Sequence, residues 1–318
     1  MKTIAATFVA RLTDADPEIR RLAVMDLPYS DEDDIVALLL PRLADTSPLV
    51  RTEAAKALEG FEDLEVVAAL AKLLQDSDPG VRKATSDVLA ELKIPASAPP
   101  LLALLDGQES AEVRASAFRA LRALRVPDAF MPALSSLRDP EAIVRREAVG
   151  VLGYLRIESA LKDLAEVAEQ DPEAEVRRMA VGALGYTTGD SVLSSLTHAL
   201  ADRNWIVREE AAQTIGKLRL KPAIPDLVRA MRDDYWQVRL KVARSLGQLK
   251  ADAGVEALID TLGHSISNLR KEAAIALGEI GDARAVLPLE QALGDADPDV
   301  RKMARLAITA IAQAPSKK

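Results

Sequence analysis

The stretch ALGEIGDARAVLPLEQALGDADPDVRKMA, residues 276–304, contains one period of the pattern that decides the fold of this chain. Its central part, AVLPLEQAL (285–293), is apolar at helical spacing and predicts a short helix. The segment DADP (295–298) then predicts a turn, and its proline suits the first turn of the helix that follows. Each period is therefore expected to form a helix, a short turn and a second helix.

The same pattern recurs along the whole chain and is marked by an arginine that usually follows an aliphatic residue. Successive arginines are separated by 31 or 32 residues, which defines ten repeats numbered here in chain order. The repeat arginines are Arg20, Arg51, Arg82, Arg114, Arg145, Arg177, Arg208, Arg239, Arg270 and Arg301. Ten periods of this regularity indicate a repeat architecture and not a set of unrelated helices.

Positions in a repeat are counted here from its arginine. An aliphatic residue at −1, a small residue at +3 and Leu or Ile at +7 form one stripe of a helix, which predicts the buried face of the second helix, the B helix. One hairpin cannot bury its apolar faces alone, so consecutive hairpins should stack. We expect an all-α fold, an α-solenoid of ten repeats of 31–32 residues covering residues 1–314 as a single domain, followed by a disordered tail at 315–318.

This pattern resembles the HEAT repeat, in the short bacterial form named after the phycobilisome lyase subunits. The stretch 276–304 is similar to the consensus of that family at nearly every position, and the resemblance extends over almost the whole chain. It implies a superhelical scaffold that different proteins use for different partners, and it says little about the partner of this one.

Position −6 is aspartate in eight repeats, with Gln108 and His264 as the exceptions. A residue type that every layer contains is expected to serve the stack and not a reaction. In HEAT-like proteins this aspartate and the repeat arginine tie adjacent layers together. The spacing allows the aspartate to accept backbone N–H groups at the start of the B helix, and the arginine to reach a neighbouring turn.

Composition limits the chemistry. The 318 residues contain no cysteine and two histidines, His198 and His264, which occupy different positions within their repeats, so no metal site or thiol nucleophile is predicted and no cofactor is expected. A net charge of −8 argues against general nucleic-acid binding. No apolar stretch suits a membrane span. We expect a soluble, cytoplasmic protein.

Five of the six Trp and Tyr residues fall between positions 154 and 236. Tyr154 and Tyr186 share position +9 of repeats five and six, each behind a glycine at +5 (Gly150, Gly182). With −1, +3 and +7 inward, positions +2, +5 and +9 should face solvent on the concave side, so these tyrosines are candidate anchors beside a shallow trough. Packing at a helix end is the alternative.

Trp205, Tyr235 and Trp236 lie in the turns that open the B helices of repeats seven and eight, where other repeats have proline. They are either a flanking edge of the binding surface or a shield between layers.

Charge is concentrated in the same region. Residues 201–250 carry 11 basic and 6 acidic side chains, whereas residues 1–100 carry 11 basic and 18 acidic ones. Lys217, Lys241 and Arg244 occupy the predicted concave positions and could receive acidic groups of a partner. A solvated helix face is the alternative interpretation.

The sequence thus predicts a non-catalytic scaffold or adaptor that uses the concave face and turn edge of repeats five to eight to hold a protein with an acidic or aromatic-anchored segment. The alternative is a bilin or other tetrapyrrole lyase or chaperone subunit, the one enzymatic function the resemblance leaves open. Met303, Leu306 and Ala310 extend the apolar surface of the last helix and suggest weak self-association.

Overall fold

The computed structural model describes residues 9–32, 34–106, 109–187 and 190–313. Gln108 and the tail at 315–318 lie outside these ranges. The described residues are helices joined by turns, with no β-strand among them, so the predicted all-α solenoid is confirmed. The chain forms two compact units, Met1–Leu155 and Arg156–Lys318, which are described separately below as unit 1 and unit 2.

In unit 1, B helices carry odd numbers and the intervening A helices carry even ones. The helices are α1 (Pro17–Asp26), α2 (Ile35–Leu39), α3 (Pro48–Ala57), α4 (Leu64–Leu73), α5 (Pro79–Leu89), α6 (Pro99–Leu102), α7 (Ala111–Leu124), α8 (Phe130–Ser135) and α9 (Ala142–Leu155). Short 3-10 turns occupy Leu27–Tyr29, Leu40–Ala44, Pro95–Ser97, Ala103–Leu105, Pro127–Ala129 and Ser136–Arg138.

Unit 2 follows the same scheme. Its helices are α10 (Leu161–Gln170), α11 (Ala174–Leu184), α12 (Leu193–Ala199), α13 (Trp205–Leu218), α14 (Ile224–Ala230), α15 (Trp236–Gln248), α16 (Val255–Thr261), α17 (Ser267–Ile280), α18 (Val286–Ala292) and α19 (Pro298–Gln313). Its 3-10 turns are Glu158–Ala160, Lys221–Ala223, Asp252–Gly254 and Ala283–Ala285. Within each unit every B helix packs on the next B helix along the chain.

The core forms along the predicted stripe. Position +3 is fully buried in all ten repeats, and position −1 is buried in every repeat but the first, where Ile19 is 37% exposed. Prolines Pro17, Pro48, Pro79 and Pro298 each stand first in a B helix, as predicted. Small side chains at +3 allow neighbouring helices to approach closely, which is why alanine dominates there.

Glycines at +8 provide a second close approach, in unit 2. A Cβ atom added to Gly278 would lie 2.8 Å from the Cα atom of Ala307 on the next B helix, and one added to Gly247 would lie 2.9 Å from the Cα atom of Ala276. Both contacts are with backbone atoms. The close packing of α15 on α17 and of α17 on α19 therefore requires the glycine of the Leu-Gly pair at +7 and +8.

The last helix, α19, leaves apolar groups exposed. Leu306 is 54% exposed, Ala310 is exposed and Met303 is partly buried. Self-association through this face stays a prediction.

Candidate functional site

The repeat arginines and aspartates form a ladder within each unit. Arg208 donates through Nε and Nη2 to the two carboxylate oxygens of Asp233, at 2.6 and 2.9 Å, and through Nη1 to the carbonyl oxygen of Asp202, at 2.7 Å. One guanidinium therefore holds the turn of its own repeat and the aspartate of the next. The carboxylate–guanidinium rungs for which both partners are in one unit are Arg20–Asp45, Arg51–Asp76, Arg114–Asp139, Arg177–Asp202, Arg208–Asp233 and Arg270–Asp295.

Each ladder aspartate also shapes its own turn. Asp233 Oδ1 accepts the backbone N–H of Tyr235 at 2.9 Å, and Asp45 and Asp76 accept the N–H two residues further on in the same way. This N–H belongs to the residue that precedes the helix, so the aspartate forms a turn before the helix and is not itself the N-cap. The predicted structural role is correct, but the N–H that the aspartate accepts belongs to the residue just before the helix and not to its first turn.

The ladder rungs are mostly shielded from water. Arg177 and Asp202 side chains are 3% and 10% exposed. The hydrogen bond from Arg51 lowers the pKa of Asp76, and the hydrogen bond from Arg270 lowers the pKa of Asp295. These carboxylates are fixed as anions in the stack, which leaves them unsuited to proton transfer near neutral pH.

His264 interrupts the ladder. Its Nε2 atom lies 3.0 Å from Nη2 of Arg239, and its Nδ1 atom accepts the N–H of Ile266 at 3.0 Å. A neutral imidazole has one acceptor nitrogen, so one of these two contacts sets a donor against a donor. The Nε atom of Arg239 is buried without a hydrogen-bond partner. This rung is therefore weaker than its neighbours.

The aromatic residues of the turn edge contact one another in unit 2. The rings of Trp205 and Tyr235 are stacked, with centroids 5.6 Å apart and planes inclined by 13°. The guanidinium carbon of Arg208 lies 5.7 Å from the Tyr235 centroid, so the stack also covers a ladder rung. Tyr235 is 46% exposed, and Trp236 begins α15 in a partly buried position. The stack can shield the layers and still present a face to a partner.

Lys241 and Arg244 lie midway along α15 and already have partners. Lys241 donates to Oε1 of Gln213 at 2.7 Å, and Arg244 makes a two-pronged salt bridge to the buried carboxylate of Glu272, at 2.8 and 2.9 Å. The charge of Arg244 is thus compensated within the fold, although its side chain is 48% exposed.

Tyr186 and Lys217 lie at the other end of the B helices. The Nζ atom of Lys217 is 4.1 Å from the Tyr186 centroid, and the guanidinium carbon of Arg156 is 5.2 Å from it. Trp205 and Lys217 are at opposite ends of α13, twelve residues and therefore about 18 Å apart. Within unit 2 the structure therefore separates the predicted residues into three groups. These are an aromatic edge (Trp205, Tyr235 and Trp236), a middle whose cations already have partners (Lys241 and Arg244) and a basic end (Tyr186 and Lys217).

Tyr154 has an equivalent environment in unit 1. The guanidinium carbons of Arg122 and Arg125 lie 5.8 and 5.6 Å from its ring centroid, and the tyrosine is 38% exposed. Gly150 is buried and Gly182 is partly buried, so position +5 is not the open trough that the sequence predicted. A Cβ atom at Gly182 would lie 3.2 Å from Oε1 of Glu210, which shows that this glycine makes room for a neighbouring side chain.

Sequence reasoning gave little weight to a further set of cations, at position +11. Arg125, Arg156, Arg219 and Lys250 all end their B helices with a left-handed backbone, with φ between 51° and 56°. In repeat nine the same position is Gly281, with φ of 74°. The sequence shows a basic residue at +11 in these four repeats and also in repeat three, as Lys93. It does not show the left-handed backbone that makes the other four unusual.

Two of these cations line a cleft at the basic end of unit 2. The cleft has a volume of about 470 Å³ and is formed by Gly216, Lys217, Arg219, Gly247, Gln248, Lys250 and Glu279. We refer to this set as the basic cleft. Among the described residues no cluster of acidic, histidine or cysteine side chains has the composition of a metal site.

A family model described as HEAT repeats matches residues 5–90, 54–122, 127–216, 161–239 and 224–309. The chain belongs to the HEAT-repeat family. No curated protein matches this HEAT-repeat protein significantly.

Solved structures resemble this HEAT-repeat protein in fold. An engineered protein is 21% identical over 97% of this chain and 99% of its own, with a TM-score of 0.50. Escherichia coli YibA is 19% identical over 95% of this chain and 98% of its own, with a TM-score of 0.55. Yeast importin-β, Kap95p, is 14% identical over 98% of this chain, with a TM-score of 0.68; the chain spans 51% of its length. Identities this low show the fold alone.

None of the helices in the described ranges combines the length and apolarity that crossing a bilayer requires.

Proposed function

We propose that this HEAT-repeat protein is a non-catalytic scaffold that binds a protein partner through the exposed residues of repeats six to eight in unit 2. The observation that carries the proposal is that the recurrent charged residues serve the stack, whereas the tyrosines of unit 2 are exposed. The recurrent arginines and aspartates are used in the ladder, whereas Tyr186 and Tyr235 are 38% and 46% exposed beside cations. Exposed Trp and Tyr with neighbouring arginine or lysine are typical of binding hot spots.

Two surfaces are candidates within unit 2. The aromatic edge, Trp205, Tyr235 and Trp236, offers apolar contact area, and the basic end, Tyr186 and Lys217, offers charge for an acidic segment. Lys241, which is partly buried, and Arg244, which is exposed, stay in the proposed set as flanking groups. Tyr154 in unit 1 stays a separate candidate anchor. Kap95p, which has a similar fold, binds RanGDP, and that agrees with a scaffold role without naming a partner here.

The test compares what co-purifies from the native host with three full-length variants. Tyr186→Ser with Lys217→Glu changes the basic end, and Trp205→Ser with Tyr235→Ser changes the aromatic edge. Lys302→Glu is the control, since Lys302 is exposed on α19 in repeat ten, outside repeats six to eight. The scaffold proposal expects at least one surface variant to lose partners that the control retains. If both surface variants retain all of them while keeping the wild-type helical spectrum, the proposal is wrong.

A tetrapyrrole-handling function of the phycobilisome-lyase type is the second candidate. The observation that favours it is that Arg156 and Lys217 both lie close to the Tyr186 ring, so that an aromatic ring and two cations could receive a conjugated ring and its propionates. A visible spectrum with added bilin or haem tests it directly, and unshifted absorbance with no retention on gel filtration would exclude it. A cytoplasmic location, which agrees with the absence of cysteine, stays a prediction.

A further inference from the structure

The basic cleft lies where the B helices α13 and α15 end side by side. Lys217 belongs to the last turn of α13, Arg219 follows that helix, and Lys250 follows α15. Gly216 and Gly247 form part of its surface, and the neighbouring helices pack closely there because neither glycine has a side chain.

The three cations of the cleft are only partly compensated, because Glu279 is the one carboxylate among the residues that line it. Among the described residues none of Lys217, Arg219 and Lys250 forms a salt bridge. Arg177, Arg208, Arg270 and Arg244 of the same unit do. Lys217 instead lies over the Tyr186 ring. The cleft therefore concentrates positive charge in a protein whose net charge is −8.

Two of the cations occupy a backbone conformation that opposes them. Arg219 and Lys250 have φ values of 55° and 51°, in the left-handed region where a side chain costs about 1 kcal/mol relative to glycine. Glycine is used at the same position of the next repeat, Gly281. A cation near a helix C-terminus gains up to about 1 kcal/mol from the helix dipole, so helix capping alone gives the two basic residues no advantage over glycine.

We propose that the basic cleft binds an extended acidic peptide segment with Asp or Glu at alternate positions. This rests on the scaffold proposal and identifies the chemistry of the partner. Adjacent packed helices are about 8–10 Å apart, and side chains on one face of an extended chain repeat about every 7 Å. Alternate carboxylates can therefore meet Arg219 on one helix end and Lys250 on the next, while Lys217 and the Tyr186 ring extend the contact along the segment.

A peptide is favoured over a nucleic acid by the charge that surrounds the cleft. Phosphate backbones need many cations along a continuous track, and this cleft offers three and also contains the carboxylate of Glu279. Glu279 lies against Gly247, where its Oε2 atom would meet an added Cβ atom. Burial and the nearby carboxylate of Glu272 raise the pKa of Glu279, against the opposite effect of Arg244 and Lys250. Replacing it with glutamine should strengthen binding of an acidic segment.

The experiment measures binding of fluorescein-labelled octaglutamate to the full chain by anisotropy at low ionic strength, with octaglutamine as the neutral peptide. The cleft variant is Lys217→Glu/Arg219→Glu/Lys250→Glu. The matched control is Arg232→Glu/Lys302→Glu/Arg305→Glu, which changes the net charge equally at exposed positions of the same unit. Far-UV circular dichroism and urea midpoints confirm that both variants fold.

We expect the cleft variant to lose about tenfold or more in affinity, the control to lose less than about threefold by long-range electrostatics, and Glu279→Gln to gain about twofold to fivefold. Equal losses in the two triple variants, or equal binding of octaglutamine, would overturn the proposal. Binding of a single-stranded oligonucleotide more tightly than octaglutamate would also overturn it. The co-purification experiment above is independent of this assay. If the aromatic-edge variant loses partners but the wild type does not bind octaglutamate, the proposal for the basic cleft is refuted and the scaffold proposal is not.

Discussion

Replacing His264 with aspartate should stabilise unit 2. The imidazole of His264 does not give Arg239 the two acceptor oxygens that an aspartate would supply at this position, so the rung between them is incomplete. The Nε atom of Arg239 is buried without a partner, and Nη2 faces a ring nitrogen 3.0 Å away. In the neighbouring rung, Arg270 donates through Nε and Nη2 to both oxygens of Asp295, each at 2.7 Å. An aspartate at 264 would offer Arg239 the same two acceptors and would still accept the N–H of Ile266.

The expected gain is about 1–2 kcal/mol. A hydrogen bond that involves a charged group contributes about 1.5–3 kcal/mol net, and the variant adds one to Nε and corrects the donor–donor contact. Desolvation of the new carboxylate opposes part of this. Burial together with Arg239 and Arg270 lowers the pKa of His264. Since its neutral form is favoured in the fold, the wild type should lose stability as the pH falls through the usual histidine value of about 6.5.

Both tryptophans, Trp205 and Trp236, lie in unit 2, so tryptophan fluorescence reports the unfolding of that unit in urea. We expect a higher urea midpoint for His264→Asp at about pH 7.5. The difference from the wild type should be larger at about pH 5.5, where protonation of His264 in the unfolded chain lowers the stability of the wild type. Asp295→His is the reciprocal control and should lower the midpoint, because it removes the acceptors of Arg270. An unchanged or lower midpoint for His264→Asp, together with a lower one for Asp295→His, would refute the argument.

Four other perturbations test separate features. In urea unfolding, Gly278→Ala should destabilise unit 2 by about 1–2 kcal/mol, because its Cβ atom would meet the backbone of the next helix. Gly182→Ala should be neutral or stabilise by up to about 1 kcal/mol, because its Cβ atom would meet only the flexible end of a glutamate. Equal effects of the two substitutions would contradict the close-approach argument. Lys250→Gly should raise the urea midpoint by relieving its left-handed backbone and yet weaken octaglutamate binding, and a simultaneous gain in both would contradict the assignment of the cleft. Because the pKa of Asp295 is lowered in the fold, the ladder stabilises the protein above about pH 4 and loses this contribution below it, so Asp295→Asn should flatten the fall of the urea midpoint on acidification. Leu306→Glu should abolish any concentration dependence of the molar mass in light scattering, if the exposed face of the last helix associates.

The fold could be predicted because its determinants are local and periodic. Positions −1, +3 and +7 fall on one helical stripe, and the structure buries them with the exception of Ile19 and partly of Ile308. Gly150 and Arg244 show where this reasoning stops. Solvent exposure of +5 was inferred from one helix, but Gly150 is buried in the structure. The partner of Arg244, Glu272, belongs to the next repeat. Pairing between repeats depends on register, which the spacing of one helix does not define.

The candidate site was predicted less well for a related reason. Clustering along the sequence grouped Trp205 with Lys217, but a helix of fourteen residues holds them at opposite ends. Position +11 was visible as a recurrent basic residue, yet only the left-handed φ of Arg219 and Lys250 shows that the backbone disfavours these residues there. A property of the backbone, and not of composition, drew attention to the cleft.

The ladder also constrains how the gene for such a chain can change length. In the six rungs described above, the arginine meets an aspartate 25 positions later. The third nitrogen of Arg208 also holds the turn six positions earlier. A deletion of a few residues within a repeat would misalign both contacts in two layers at once. Removing or duplicating one full period would join an arginine to an equivalent aspartate in the correct register. Length variation among related chains should therefore occur in whole periods, with smaller insertions confined to the segment between an arginine-bearing helix and the next aspartate.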